Sequence, residues 1–166
     1  MAIGNTAAPD PTRALVKFAV ATVLPTGARI TSASLELTVV RASGLVEPAT
    51  FELHRLLADW GEGDKGAGSI TGAGGPADPG EATWNARFHP DQLWTAAGGG
   101  DGTDYASAPS ATARLESSEP LIFGPSDAMK TDVQAWLDDP STNFGWLLKD
   151  ETESNATTAR DRKSVV

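Results

Sequence analysis

The stretch that decides the fold is Ser126 to Glu151, SDAMKTDVQAWLDDPSTNFGWLLKDE. It reads as one helix, a stop and one strand. Met129, Val133, Trp136 and Leu137 recur at i, i+4, i+7 and i+8, one face of a 3.6-residue period. Ser126 stands where an N-cap hydroxyl accepts an orphan backbone N–H, and Asp127 complements the positive helix end. Pro140 cannot continue a helix and pushes Asp139 out of helical geometry. From Asn143 to Lys149 the period changes to two, with Phe144, Trp146 and Leu148 on one face.

Outward from this stretch the chain is full of strand patterns. Arg13 to Val20 alternates, with Ala14, Val16, Phe18 and Val20 facing one way. Leu24 to Ala28 is a turn built on Pro25 and Gly27. Ile30 to Arg41 reads as a longer strand with Leu35, Leu37 and Val39 inward, and Gly44 to Pro48 breaks it. Thr50 to Leu57 reads as a third strand, with Phe51, Leu53 and Leu57 on one face and Glu52 and His54 on the other. Eight of the 17 glycines then fall between Gly61 and Gly80, too long a loop for a tight hairpin. Glu81 to Phe88 is a short strand-like piece, and Gly98 to Gly102 is a second glycine-rich segment. Ala111 to Glu116 and Pro120 to Phe123 add two short strands before the helix.

The totals agree with an all-β domain carrying long loops: 166 residues, 17 Gly, 11 Pro and 21% charged residues. The net charge of -9 argues against nucleic acid and anionic membranes as partners, because both reward basic surfaces. Without cysteine there is no disulfide frame, thiolate metal site or Cys nucleophile. No apolar run is long enough to cross a bilayer, and no signal peptide stands at the start. The final Asp161 to Val166 continues no pattern and matches one reading frame of a common sequencing adapter. The expectation is one domain over residues 1–160, a piece of a longer secreted protein with covalently linked neighbouring domains, and a non-native tail at 161–166.

Laid out in order, these segments resemble the DNRLRE domain, or disaggregatase-related repeat, which overlaps a carbohydrate-binding module family that includes alginate binders. The resemblance is carried by RALVKF at Arg13 to Phe18, LPTGARITSASL at Leu24 to Leu35 and LHR at Leu53 to Arg55. It continues in DWGEG at Asp59 to Gly63, ATWN at Ala82 to Asn85, WTAAGGGD at Trp94 to Asp101 and DVQAWLDDPSTNFGWLLKDE at Asp132 to Glu151. It implies a jelly-roll-like β-sandwich with one short helix near residues 127–138. It also implies secretion or display at the cell surface, beside polysaccharide-active enzymes. Members have one more strand before Gly4 and an R-x-F-x-S-R-E motif with a last strand. Asp161 departs from that motif, which leaves an unpaired sheet edge as the expectation.

Several chemistries can be weighed on the residues. Gly61 to Gly66 fits G-x-G-x-x-G, but no helix follows to meet a pyrophosphate. Ser69 lacks the glycines of a nucleophile elbow. His54 and His89 have no zinc-pair spacing, and His54, on the polar face of a strand, reads as a surface or sheet-face histidine. The 22 acidic residues offer too many carboxylate pairs to single out a glycosidase. Sugar binding asks for aromatic faces to stack on pyranose C–H groups and polar groups to fix hydroxyls. Trp60, Trp84, Arg87, Trp94 and Tyr105, at the loop borders, have that chemistry; the competing reading makes Trp60 and Trp84 plugs at the ends of the sandwich. Arg13, Lys17 and Arg55 form an alternative basic platform, whose competing reading is a solvated sheet face. Asp101 and Asp104, and separately Asp59, Glu62 and Asp64, offer oxygens for a structural Ca²⁺. The expected function is therefore a non-catalytic module that holds its host on a polysaccharide, including an acidic one such as alginate. The alternatives are a structural or adhesive surface module with no glycan ligand, and a hydrolase or lyase.

Overall fold

The computed structural model describes residues 2–5, 11–42, 48–63, 75–116, 120–154, 158 and 160–164, with the backbone alone for residues 2, 39–42 and 160–164. Asp64, Ser69 and the second half of the Gly61 to Gly66 motif lie outside these residues, as do Val165 and Val166 of the expected tail.

In chain order the elements are β1 (Ala2–Asn5), β2 (Pro11–Thr12), β3 (Ala14–Val16), α1 (Val20–Val23), β4 (Leu35–Ala42) and β5 (Ala49–Arg55). Then come β6 (Ala86–Phe88), β7 (Gln92–Leu93), β8 (Ala111–Leu115), β9 (Leu121–Phe123), α2 (Asp127–Asp138), a 3-10 turn (Pro140–Thr142), β10 (Trp146–Asp150) and β11 (Arg160–Ser164). One sheet has the order β2-β1-β11-β4-β9, the other β3-β10-β5-β8, and β6-β7 is a separate hairpin. The strand pairings in both main sheets are antiparallel. The chain is all-β in class and sandwich-like: Ile3, Leu37, Leu121 and Phe123 of one sheet meet Val16, Phe51, Leu53, Leu115, Trp146 and Leu148 of the other in one core. Each fully buried Leu or Phe in it contributes roughly 1.5–3 kcal/mol of transfer free energy.

The helix forms as the opening stretch requires. The Ser126 hydroxyl accepts the Met129 N–H at 3.0 Å and donates to the Ser110 carbonyl at 2.6 Å, so one side chain caps α2 and ties it to the approach to β8. Met129, Trp136 and Leu137 are buried and Val133 packs against the core. Asp132 is buried on the same face, which its polarity hid. Its carboxylate accepts the Trp146 Nε1–H at 2.9 Å and a bond from the Ser110 hydroxyl. The rings of Trp136 and Trp146 meet edge to face at 4.5 Å. Thus α2 is pinned to β10, and both tryptophans belong to the core.

Four local expectations need correction. Phe144 does not share a face with Trp146: Gly145 sits at φ 81°, which turns the chain, and Phe144 packs in a second cluster instead. The strand expected from Ile30 starts at Leu35, because the Ile30 N–H goes to the Gln134 side chain at 2.8 Å rather than to a strand partner. Val20 lies in the single-turn α1, not in a strand. Leu57 is 45% exposed, since β5 ends at Arg55 and the inward face ends with it; Leu56 is buried in the second cluster.

The edge expected to lie unpaired is occupied. β11 runs antiparallel to both β1 and β4, in the middle of its sheet. The pairing is a property of the backbone and is independent of where residues 161–166 originate.

Candidate functional site

The second cluster explains the site. Leu56, Trp94, Tyr105 and Leu147 are buried together, with Leu15, Trp60, Ala82 and Phe144 against them. It lies on the face of the β3-β10-β5-β8 sheet opposite the main core, since Leu147 alternates with Trp146 and Leu148. Consequently β10 is buried on both faces, and residues 94–106 form a covering layer. His54 is under that layer at 3% exposure, with Nδ1 2.8 Å from the Ala106 carbonyl and the ring 5.1 Å from Tyr105. It stands on the sheet face, one of the two places expected, but buried under the covering layer rather than at the surface.

Asp104 organises the layer. Its Oδ2 accepts the Thr95 N–H at 2.8 Å, the Thr95 hydroxyl at 2.7 Å and the Gly100 N–H at 2.6 Å. Burial pushes this carboxyl up, but the bonds from Gly100 and Thr95, together with the Arg87 charge, outweigh it and hold the group below the usual carboxylate range. Asp101 remains exposed. A calcium ion taking Asp104 would compete with three hydrogen bonds, and among the described residues no three His, Cys, Asp or Glu side chains gather as a metal site.

The five sugar-site candidates separate by burial. Trp94 is 7% exposed and Tyr105 6%; both fill the second cluster, and Trp94 Nε1–H donates to the Thr83 carbonyl at 2.9 Å. Trp60 is half-buried, with Nε1–H on the Phe144 carbonyl at 2.8 Å. Arg87 is half-buried, donates to the Asp59 carbonyl at 3.3 Å and lies 5.5 Å from the Phe88 ring centroid. Trp84 is different: it is 40% exposed.

Trp84 is held at the tip of a turn. Thr83 N–H donates to the Ala86 carbonyl at 2.7 Å, and the Thr83 hydroxyl accepts the Ala86 N–H at 3.0 Å. The Gly98 N–H donates to the Trp84 carbonyl at 2.6 Å. The indole lies so close on Gly98, itself at φ 80°, that a Cβ there would come within 2.7 Å of the ring. Glycine at 98 is what lets the ring lie down on the covering layer.

Two partners of this platform were not legible as such. Arg13, from the segment between β2 and β3, places its guanidinium 5.3 Å from the Trp84 ring centroid and 5.8 Å from that of Tyr105. It donates to Glu153 through Nε at 2.7 Å and Nη2 at 2.6 Å, and through Nη1 to the Gly98 carbonyl at 2.8 Å. Burial alone would lower the Arg13 pKa, yet the Glu153 carboxylate raises it. No sequence pattern links residues 140 positions apart. The other two members of the expected basic platform are also paired, Lys17 with Asp59 at 3.5 Å and Arg55 with Asp132 at 3.6 Å, so the three do not make a free cationic face.

A separate cleft of about 650 Å³ lies between residues 29–31 and α2, lined by Arg29, Thr31, Lys130, Gln134 and Asp138 among others. Among the described residues, no helix is long and apolar enough to cross a membrane. In comparisons with protein-family models, with curated proteins and with solved structures, nothing matches the chain.

Proposed function

We propose that this domain is a non-catalytic carbohydrate-binding module, carried by a secreted or cell-surface protein with neighbouring domains, that holds its host on a polysaccharide. The DNRLRE resemblance and the jelly-roll-like form of the sandwich belong to the same proposal. The observation that carries it is Trp84: a large aromatic ring left 40% exposed while its backbone and under-face are fixed by Gly98 and the Arg13 guanidinium lies over the ring, 5.3 Å from its centroid. An indole held open in this way offers a pre-organised flat face for pyranose C–H groups, with little ordering entropy left to lose on binding.

The test is retention on insoluble polysaccharides. The intact domain is expected to be retained, and Trp84→Ala to lose most of that retention while its melting temperature stays within a few degrees, because the ring belongs to neither buried cluster. If the intact domain is retained on no glycan, the structural or adhesive reading replaces this one. Release of reducing ends from the polysaccharide would restore the hydrolase or lyase reading.

A further inference from the structure

We infer that the Trp84 platform takes a neutral pyranose chain rather than an acidic one, with the Asn85 amide as its hydroxyl-binding partner. This rests on the sugar-binding reading and names the substrate class for that site. The first reason is the state of the nearby cations. All three guanidinium nitrogens of Arg13 are engaged, two by Glu153 and one by the Gly98 and Gly99 carbonyls. The Glu153 carboxylate cancels the Arg13 charge beside the ring. Arg87 is turned to the Asp59 carbonyl and the Asp104 charge, and Lys17 to Asp59. Among residues with described side chains, Arg29 is the cation with no ion-pair or hydrogen-bond partner, and it lines the α2 cleft. No Trp84 neighbour named above lines that cleft.

The second reason is the ring itself. An indole face carries the negative lobe of its quadrupole, which attracts C–H groups and repels carboxylates and sulfates. With no uncommitted cation beside it among the residues with described side chains, on a chain of net charge -9, a polyanion gains no charge-assisted bond from them and meets a repulsive field. The third reason is Asn85. It is exposed next to Trp84 at the same turn tip, its backbone N–H and carbonyl are engaged by Thr83 and Trp94, and its side-chain amide has no partner among the described residues. A carboxamide offers a donor and an acceptor together, which matches a hydroxyl and has no preference for an anion.

The experiment compares retention of the intact domain on cellulose and mannan with retention on alginate and polygalacturonate, each at low and high salt. The neutral polymers are expected to hold the domain equally at both salt levels, as uncharged contacts are not screened. Asn85→Ala is expected to weaken that affinity about tenfold, near the loss of one net hydrogen bond, and Trp84→Ala to abolish it. Retention on the acidic polymers alone, falling steeply with salt, would overturn the inference and leave the module reading standing. Neutral retention that survives both substitutions would overturn the placement of the site. Retention on neither class would sink the module reading, and the inference with it.

Discussion

The carboxylate of Asp104 shows how one buried residue can order an exposed surface from beneath. Its Oδ2 gathers Thr95 and Gly100, and that loop continues into the Gly98 bed of Trp84. Asp104→Asn is expected to destabilise the domain by about 1–3 kcal/mol, the cost of weakening charge-assisted bonds to a buried group, and to loosen Trp84. Denaturant melts and glycan retention would both register it. The pH dependence follows from the lowered folded pKa. Asp104 stabilises the fold fully above the unfolded carboxyl value, about 3.9. That stabilisation falls away as acid passes below it and is gone beneath the folded value. Glu52 adds in the same direction: burial raises its carboxyl, but bonds from His54 and Lys149 outweigh this and hold it low. Tryptophan fluorescence on acidification should therefore report loss of the covering layer below about pH 4, and Asp104→Asn should reduce that acid-sensitive part. An unchanged acid profile in the variant would count against this role.

At the scale of elements, the turn before β10 tolerates little change. Gly145 has φ 81°, and a Cβ there would lie 2.0 Å from the Val16 carbonyl oxygen. β3 pairs with β10 at Trp146 and Val16, so alanine at 145 would strain the backbone and force the two strands apart. Gly145→Ala is expected to cost at least about 1–3 kcal/mol, read as a lower denaturant midpoint with an unchanged slope. The helix α2 was legible because cap, apolar stripe and stop all agreed on one answer. The starts and ends of β3, β4, β5 and β10 were not. The hydrogen bond that the Ile30 N–H donates to the Gln134 side chain and a glycine turn at 145 set two of them, and neither has a period to read.

For the whole molecule, the place of β11 is decisive. It bonds to β1 on one side and β4 on the other. A chain ending at residue 159 should leave both flanking strands without a ladder partner there, exposing edges that invite aggregation. Compared with a chain ending at residue 164, it is expected to lose cooperative unfolding and to associate, as calorimetry and gel filtration would show. Equal melting temperatures for the two would overturn the structural role given to this strand. The covering layer is the other feature of this scale. It turns His54, Trp94 and Tyr105 inward and leaves Trp84 out.

The sequence by itself determined the elements whose cues are local: α2 with its Ser126 cap, the presence of the short strands β8 and β9, the burial of Trp136 and Trp146, and an all-β class with long glycine-rich connections. These depend on backbone periodicity and on neighbours a few residues away. Tertiary structure alone decided which face of β10 stays dry, because residues 94–106 fold over it, and which aromatic stays open, because Glu153 and Arg13 meet beside Trp84. Burial and ion pairing are properties of residues brought together across the chain, and no period in the sequence encodes them.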